Sequence, residues 1–178
     1  MAADTRARAS RIRLIGFDVD GVLTDGKLLY GPEGADSKSF HVQDGLGLKL
    51  LAAAGIHSCV ISARPSAAAA RRLAELGIEH VLLGTHAKRP AFEQLLAHYQ
   101  IGFEDAAFMG DDWPDLPILT RVGLAATVPS AFPAVRERCH WCATRAPGTG
   151  AVREFIEYVL TAQGRLDALL APYLDGAP

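Results

Sequence analysis

Two aspartates separated by one residue are the first side chains in this sequence that could perform chemistry together. Asp18 and Asp20 lie in the segment Phe-Asp-Val-Asp-Gly-Val at residues 17–22, at the end of the apolar run 12–17. An isolated Asp-x-Asp before a glycine is more often a turn than a catalytic pair, because Asp and Gly both favour turns. The pair is therefore informative only if other polar groups reach the same place.

Polar side chains also follow the next apolar runs of the chain. After the runs at residues 57–61, 80–83 and 106–109 come Ser62, Arg64, Lys88, Asp111, Asp112 and Asp115. In an open parallel α/β sheet, ligands bind outside the carboxyl ends of the strands. We therefore expect four strand ends to converge on one crevice that carries several carboxylates, one hydroxyl and two cations.

Carboxylates gathered in one crevice require a cation. Without a counter-charge, Asp18, Asp20 and Asp111 would repel one another and their pKa values would rise. Oxygen ligands with no His or Cys nearby favour Mg²⁺, which commonly takes a substrate phosphate oxygen as a further ligand. The sequence therefore predicts a magnesium site that binds a phosphorylated substrate.

The same residues can divide a phosphoryl transfer among them. With the phosphoryl group held by Mg²⁺, the Ser62 hydroxyl and the Lys88 ammonium, Asp18 is the predicted nucleophile and forms an aspartyl phosphate. Asp20 is placed to protonate the leaving oxygen and then to deprotonate the water that hydrolyses the intermediate. This chemistry is that of a phosphatase.

Short apolar runs alternate with segments of helical period, which is the pattern of a parallel sheet covered by helices. The predicted strands are residues 12–17, 57–61, 80–83, 106–109 and 123–126, and the predicted helices are residues 45–54, 66–76, 87–99, 115–121 and 150–160. One stretch breaks the alternation, because residues 27–30 and 37–42 are predicted to form a β-hairpin around the turn-forming residues 31–34.

Length and charge restrict the class of protein. At 178 residues the chain fits one domain with its own hydrophobic core. A formal net charge of −2 gives no reason to expect nucleic acid or an acidic membrane as a partner. No apolar run reaches the roughly 18 residues that span a bilayer, and residues 1–10 lack the apolar stretch of a secretory signal. We therefore expect a cytoplasmic protein.

The cysteines do not indicate a disulfide framework. Cys139 and Cys142 have the spacing of half a zinc site, but a second pair of ligands at comparable spacing is missing. We expect these two residues and Cys59 to be thiols, and we expect no zinc.

Four ordered motifs resemble those of the haloacid dehalogenase superfamily. They are Asp-Val-Asp-Gly-Val-Leu-Thr-Asp-Gly at residues 18–26, Ile-Ser-Ala-Arg-Pro-Ser at 61–66, Lys88, and Gly-Asp-Asp-Trp-Pro-Asp-Leu-Pro at 110–117. Residues 11–160 more closely resemble the capless family of 3-deoxy-D-manno-octulosonate 8-phosphate phosphatases, with further similarity at 40–47 and 150–154. Ala63 and Pro147 stand where that family usually has Gly, and neither departure touches a catalytic role.

The resemblance implies an architecture. It implies a Rossmann-like three-layer α/β/α domain at residues 11–162, with a mostly parallel sheet, a projecting hairpin at 27–42 and no large cap domain. The hairpin is implied to associate with those of sister subunits in a homotetramer, so that a neighbour roofs the active site. We expect residues 1–10 to be flexible and residues 163–178 to form a tail of undetermined role.

The resemblance also implies an activity and a set of ligands. The activity is hydrolysis of 3-deoxy-D-manno-octulosonate 8-phosphate, in the pathway to bacterial lipopolysaccharide. Mg²⁺ is implied to bind Asp18, the backbone carbonyl of Asp20, and Asp111. The implied substrate contacts are Asp20, His41, Val42, Gln43, Asp44, Gly45, Lys49, Arg64, Arg72 and Lys88. Guanidinium groups suit a sugar-acid carboxylate because they can donate two parallel hydrogen bonds.

Several of these residues have structural explanations that the sequence leaves open. Ser62 could cap the helix that begins near residue 66. Lys49 and Lys88 could be solvated lysines on helix faces. His41 could be an ordinary edge-strand residue.

The supporting residues leave alternatives of the same kind. Arg71 and Arg72 are adjacent on a predicted helix and cannot point the same way, so the choice of Arg72 rests on the resemblance alone. Asp112 could bind the metal through a water or hydrogen-bond a ligand. Asp115 could orient Lys88 or cap a helix.

Other functions fit part of the pattern. A phosphatase for another keto sugar acid phosphate, such as a sialic-acid-type 9-phosphate, would use the same residues. A receiver domain also combines acidic residues, a hydroxyl and a Lys, but it places its phosphorylated Asp after the third strand, and no Asp directly follows residues 80–83. A degenerate homologue could serve only as an oligomerisation module, although every charged group that the chemistry needs is present.

Overall fold

Six short parallel strands form the centre of the molecule, whose structure, a computed structural model, describes residues 2–31 and 36–176. In chain order the strands are β1 (Leu14–Phe17), the hairpin strands β2 (Leu29–Tyr30) and β3 (Asp36–Ser37), β4 (His57–Ser62), β5 (His80–Leu83), β6 (Ala106–Met109), β7 (Leu124–Thr127) and β8 (Trp141–Cys142). The main sheet has the order β5-β4-β1-β6-β7-β8, with every pairing parallel. The order reverses beside β1, which is where ligands bind in such sheets.

Helices cover this sheet, as the alternating pattern predicts. They are α1 (Ala2–Ala9), α2 (Val42–Ala53), α3 (Ala67–Glu75), α4 (Lys88–Tyr99), α5 (Leu116–Leu119), α6 (Pro133–Arg136), α7 (Ala151–Ala162) and α8 (Leu166–Leu174). Helices α1 and α2 both pack against α7, whereas α4 packs against α5. None of the helices in the described part of the chain is long and apolar enough to cross a membrane.

The core holds the carboxyl ends of the central strands in place. Every residue of β1, β6 and β7 is buried. The side chains of Phe92 and Phe108 are fully buried, and their rings meet edge to face with centroids 5.7 Å apart. Because protein interiors are packed as densely as organic crystals, residues that directly follow these strands are held in fixed positions.

The N-terminal segment, for which flexibility at residues 1–10 stays a prediction, contains a helix that the sequence analysis did not predict. Residues 2–9 form helix α1, stabilised by an ion pair between Arg8 and Asp4 at 2.9 Å. Arg8 Nη1 also donates a hydrogen bond to the carbonyl oxygen of Gly123 at 2.9 Å, and Ala9 is buried in the core. The docking of this short helix depends on contacts with residues more than a hundred positions away, which local sequence does not reveal.

The hairpin is shorter than predicted. Among the residues that the structure describes, Leu29 pairs with Ser37 and Tyr30 pairs with Asp36, and the predicted turn residues 32–34 lie outside the described part of the chain. The predicted second strand at 37–42 is therefore wrong beyond Ser37, because residues 38–41 have no regular secondary structure and helix α2 begins at Val42. The side chain of Asp44 in its first turn accepts a hydrogen bond from the N-terminus of α7, and this contact favours the earlier helix start.

Two other segments were not placed by the sequence. Strand β8 is a two-residue parallel strand at the sheet edge, formed by Trp141 and Cys142, and its length is below what periodicity can detect. In the tail, helix α8 packs against α7 and its residues Leu166 and Leu169 contact the core.

Candidate active site

The loop after β1 carries the predicted nucleophile. The backbone N–H of Asp18 donates a hydrogen bond to the carbonyl oxygen of Met109, which ties the end of β1 to the end of β6. Gly21 in the same loop has φ +91°, and a Cβ at this position would lie 2.1 Å from Oδ2 of Asp111. Only glycine therefore allows the two acidic loops to approach this closely.

Lys88, the first residue of α4, joins two of the carboxylates. Its ammonium donates hydrogen bonds of 2.7 Å to Oδ1 of Asp18 and 2.7 Å to Oδ1 of Asp115. All three side chains are buried, and that of Lys88 is 3% exposed. The alternative explanation of Lys88 as a solvated surface lysine is therefore wrong.

Of the two roles that the sequence left open for Asp115, the structure shows the orientation of Lys88, whereas its side chain makes no capping hydrogen bond to α5. Its Oδ1 accepts the hydrogen bond from Lys88, while its Oδ2 accepts hydrogen bonds from the backbone N–H groups of Asp111 and Asp112, at 3.0 Å and 3.3 Å. The Asp112 side chain caps the turn Trp113–Asp115 by accepting from the N–H of Trp113. Asp115 thus orients Lys88 and also fixes the loop after β6.

The carboxylates outnumber the cations in this part of the crevice. Burial, followed by the charge of Asp115, raises the pKa of Asp18 to about 7 even though Lys88 opposes the shift. Burial and the charges of Asp18 and Asp115 raise the pKa of Asp111 to about 8. Burial alone would lower the pKa of Lys88, but the two neighbouring carboxylates outweigh it and raise that pKa.

These groups fit a divalent cation. One oxygen each of Asp18, Asp111 and Asp115 lies within 4.8 Å of the others. Oδ1 of Asp111 is buried without a hydrogen-bond partner among the described residues, whereas both oxygens of Asp115 accept hydrogen bonds. Because oxygen ligands suit Mg²⁺ and an unpaired buried carboxylate oxygen is costly, Asp18 and Asp111 are the side chains available to it.

Asp20 lies between two cations at the mouth of the crevice. Its Oδ1 forms an ion pair with the ammonium of Lys38, and Nε of Arg64 lies 3.8 Å from its Oδ2. Lys38 follows β3, and its side chain is only 2% exposed. Sequence reasoning missed Lys38, because a lysine in a predicted hairpin is ordinarily solvated and gives no signal of its own.

Ser62 is the last residue of β4, and Arg64 lies in the loop that follows it. Ser62 is buried, and its Oγ accepts a hydrogen bond from the backbone N–H of Arg64 at 3.3 Å. The alternative that Ser62 caps α3 is wrong, because Ser66 is the capping residue and accepts from the N–H of Ala69. Arg64 Nη2 donates a hydrogen bond to the hydroxyl of Tyr30, a hairpin residue that the sequence analysis did not select.

Together these side chains line one cavity, as the four strand ends predict. Its volume is about 290 Å³. The lining residues are Asp18, Asp20, Gly26, Ser62, Ala63, Arg64, Lys88, Asp111, Asp112, Pro114 and Asp115. The cavity therefore combines a potential nucleophile, a second carboxylate for proton transfer, a hydroxyl and two cations, which suits the binding and transfer of a phosphoryl group.

The other implied substrate contacts do not line this cavity. Asp44 is buried, and its Oδ1 accepts a hydrogen bond from the backbone N–H of Arg153 at 2.7 Å, which caps helix α7. Gln43 lines a separate polar cavity of about 380 Å³ next to Arg145 and Arg153. Val42 is exposed, and His41 has a buried Nδ1 without a hydrogen-bond partner among the described residues.

The two arginines of α3 face in different directions. The side chain of Arg71 is 84% exposed, whereas that of Arg72 is 27% exposed. Arg72 lies against α2, since its Nη2 would be 2.5 Å from a Cβ placed on Gly45. Lys49 is exposed one helical turn beyond Gly45. Arg72 and Gly45 are thus neighbours, and none of these three residues is among those that line the cavity.

The loop that contains Pro147 contacts the nucleophile loop. The N–H of Gly148 donates a hydrogen bond to the carbonyl oxygen of Val22 at 3.3 Å. A Cβ on Gly148 would lie 2.7 Å from the backbone nitrogen of Asp25. Pro147, which stands where the family usually has Gly, therefore lies next to the residues that shape the loop after β1.

Comparison with known proteins places this geometry among phosphatases. Residues 81–156 match the family profile of haloacid dehalogenase-like hydrolases. The chain is 40% identical over 167 residues to the 3-deoxy-D-manno-octulosonate 8-phosphate phosphatase KdsC of Escherichia coli (strain K12), covering 94% of this chain and 89% of that protein.

Solved structures resemble the whole chain. The 3-deoxy-D-manno-octulosonate 8-phosphate phosphatase of Moraxella catarrhalis, solved with a magnesium ion, a phosphate ion and a KDO molecule, matches with a TM-score of 0.94 and 38% identity over 97% of this chain and 99% of that one. The cobalt-bound enzyme of Haemophilus influenzae matches with a TM-score of 0.85 and 39% identity over 88% of this chain and 92% of that one.

Proposed function

The chain belongs to the 3-deoxy-D-manno-octulosonate 8-phosphate phosphatase family of haloacid dehalogenase-like hydrolases, and on this premise we propose that it hydrolyses 3-deoxy-D-manno-octulosonate 8-phosphate to the free sugar acid and phosphate. The reaction serves lipopolysaccharide biosynthesis. One observation carries the proposal: Asp18, Asp111 and Lys88 meet in one crevice at the carboxyl edge of the sheet, in a chain that is 40% identical to KdsC.

Mg²⁺ is the cofactor that the residues fit. Asp18 and Asp111 supply side-chain oxygens, and we assign the backbone carbonyl of Asp20 as a third ligand from the family pattern. When bound, the cation neutralises the clustered carboxylates and the charge on the phosphoryl oxygens. The buried, unpartnered Oδ1 of Asp111 supports this assignment.

Asp18 acts as the nucleophile in the first half of the reaction. Its carboxylate attacks phosphorus, the bond from phosphorus to the sugar oxygen breaks, and an aspartyl phosphate forms. Lys88 holds the Asp18 carboxylate through the 2.7 Å hydrogen bond and is itself held by Asp115. The Ser62 hydroxyl lines the same cavity and donates a hydrogen bond to a phosphoryl oxygen.

Asp20 moves the protons. It donates a proton to the departing sugar oxygen and then removes one from the water that attacks the aspartyl phosphate, which regenerates Asp18 and releases phosphate. The position of Asp20 on the wall of the same cavity supports this role.

The sugar end of the substrate is assigned to cationic groups beside the cavity. Arg64 lines the cavity with a half-exposed guanidinium, which suits the sugar-acid carboxylate. We place Arg72, Lys49 and residues 41–43 farther along the sugar as substrate contacts, whereas the buried Asp44 supports them by capping α7. Because these residues lie outside the cavity of one protomer, their role requires that a neighbouring subunit closes the site.

We further propose that the protein is a cytoplasmic homotetramer assembled through the hairpin. Leu28, Leu29 and Tyr30 of the hairpin are exposed, as is Val42 at the start of α2. Contiguous exposed apolar side chains of this kind mark interaction surfaces. Light scattering on the purified protein measures the assembly, and Leu29→Glu should dissociate it, whereas an unchanged mass would contradict the role of the hairpin.

The experiment that tests the proposed activity is phosphate release from a panel of sugar phosphates, with Mg²⁺ and with EDTA. We expect turnover that requires Mg²⁺ and is fastest on 3-deoxy-D-manno-octulosonate 8-phosphate. Faster turnover of a sialic-acid-type 9-phosphate would reassign the substrate, since such a sugar acid offers the same carboxylate and terminal phosphate. Equal rates on unrelated phosphates would contradict the specific assignment.

A further inference from the structure

Lys38 is a buried cation that the phosphoryl-transfer scheme does not use. It lies between the end of the hairpin and the start of α2, yet its side chain is as buried as that of Lys88. Across residues 2–31 and 36–176 its ion-pair partner is Oδ1 of Asp20 alone. Burying an ammonium is costly unless it is paired, so this single contact fixes where the Lys38 side chain lies.

The contact is equally important for Asp20. Within the described residues, Lys38 is the one hydrogen-bond donor to the Asp20 carboxylate. Oδ2 of Asp20 is buried with no hydrogen-bond partner in the part of the chain that the structure describes, and Nε of Arg64 lies 3.8 Å from it. Without Lys38, the carboxylate would be expected to turn toward Arg64, because that guanidinium would be its remaining counter-charge.

We propose that Lys38 is a positioning residue for proton transfer: it holds the Asp20 carboxylate on the cavity wall and keeps it from closing the 3.8 Å separation from Arg64 to a direct hydrogen bond. This inference rests on the proposed function, in which Asp20 carries the proton. It also links the hairpin to the reaction, because the residue that orients Asp20 comes from the chain segment directly after β3. Lys38 acts through Asp20 and is not assigned a contact with the substrate.

The test compares a substrate that needs a general acid with one that does not. A sugar phosphate has a poor leaving group, whereas the p-nitrophenolate of p-nitrophenyl phosphate departs without protonation. In Lys38→Met we expect kcat on 3-deoxy-D-manno-octulosonate 8-phosphate to fall about 100-fold, within the range that general acid–base catalysis contributes. The pre-steady-state burst of p-nitrophenolate should keep its rate constant within about 3-fold, with slow steady-state turnover after it.

The burst amplitude also counts folded active sites, so loss of folding is distinguished from loss of positioning. Lys27→Met is the matched control, because Lys27 lies in the same hairpin but is exposed and pairs with the exposed Asp25. We expect this variant to match the wild type on both substrates. A double-mutant cycle completes the test. In the Asp20→Asn background, Lys38→Met should lower kcat on the sugar phosphate by less than about 3-fold more.

Two outcomes would overturn the positioning role. If Lys38→Met slows the p-nitrophenolate burst as much as the sugar-phosphate reaction, Lys38 acts on the phosphoryl group itself. If Lys38→Met lowers kcat by the same factor in the wild-type and in the Asp20→Asn backgrounds, the two residues act independently. A wild-type enzyme that releases phosphate from neither substrate would instead refute the proposed function, and the inference about Lys38 with it.

Discussion

The phosphate end and the sugar end of the crevice are built in different ways. At the phosphate end, Asp18, Lys88 and Asp115 are buried and joined by hydrogen bonds of 2.7 Å. At the sugar end, the side chain of Arg64 is 49% exposed, and Arg72 lies outside the cavity against α2. The first region is a closed network within one chain, whereas the second is open.

This difference teaches which part of the site the fold determines. The residues at the phosphate end directly follow β1 and β6 or begin α4, so the packed core holds them rigidly. The residues at the sugar end lie in the loop after β4 and on the face of α3, where side chains remain free to meet a substrate or a neighbouring subunit. The packed domain therefore holds the groups that act on the phosphate, whereas the groups proposed to bind the sugar are left open to solvent.

The largest expected effect comes from removing the nucleophile at the phosphate end. Asp18→Asn should lower kcat by at least about 10⁴-fold, because an amide is nearly isosteric with the carboxylate but does not attack phosphorus. Phosphate release measures the loss, and circular dichroism checks the fold. The control Asp25→Asn removes an exposed carboxylate seven residues away and should keep full activity. Substantial residual turnover in Asp18→Asn would contradict the assignment.

A second prediction concerns the stability of the closed network. Lys88→Met leaves two buried carboxylates without their shared cation and should lower the free energy of unfolding by about 3–5 kcal/mol. Denaturant titration in EDTA measures it. The control Arg89→Met removes a neighbouring cation in a partly exposed pair with Glu93 and should change the free energy by less than about 0.5 kcal/mol. Similar losses in both variants would show that Lys88 is not an essential part of the network.

A third prediction concerns how the free energy of unfolding depends on pH and Mg²⁺ through the carboxylates of the phosphate end. The pKa values of Asp18 and Asp111 in the folded protein, about 7 and about 8, lie above the ordinary 3.8, so the folded state holds these protons more tightly. The resulting stabilisation is complete below about pH 4 and is lost as the pH rises through 7 and 8. In EDTA the free energy of unfolding should therefore fall between pH 5 and 8, by on the order of a few kcal/mol.

Saturating Mg²⁺ should reduce this fall, because the cation stabilises the ionised carboxylates. Asp111→Asn should show a smaller fall in EDTA and little response to Mg²⁺. An identical pH dependence in wild type and variant would exclude Asp111 as its source. Both proteins are compared by denaturant titration at matched ionic strength.

The smallest effects are expected at the sugar end. Arg64→Met should raise KM for the sugar-acid phosphate about 10- to 100-fold, since hydrogen bonds between charged groups contribute roughly 1.5–3 kcal/mol. Arg72→Met should raise KM by less, and the exposed Arg71→Met should leave it unchanged. Steady-state kinetics measures all three. If Arg71→Met raised KM as much as Arg72→Met, the assignment of Arg72 as the arginine of α3 that faces the substrate would be wrong.

The sequence was informative where a motif follows a buried strand. Asp18, Ser62 and Asp111 could be assigned to one crevice because apolar runs mark strands and parallel strands end at the same edge. The same reasoning failed for Lys38, whose burial depends on the hairpin folding back onto the loop after β1. It also missed helix α1, because the docking of that helix depends on contacts with distant loops.

For Asp44, the role that the resemblance implies differs from the contact that the structure shows. The family pattern places it among the substrate contacts, whereas in the structure its carboxylate caps α7, more than a hundred residues later in the chain. No local signal distinguishes a capping aspartate from a binding one, because both are short acceptors near a helix end.

By itself, the sequence determined the α/β architecture, the type of reaction and four residues of the phosphate end, namely Asp18, Ser62, Lys88 and Asp111. These depend on the periodicity of apolar residues and on the residue types that come at and after the strand ends. Only the tertiary structure decided which cation pairs with which carboxylate, that Lys38 holds Asp20, and that Arg72 faces α2 while Arg71 faces solvent. These pairings are made by residues far apart in the chain, and they depend on how hairpin and helices pack over the sheet.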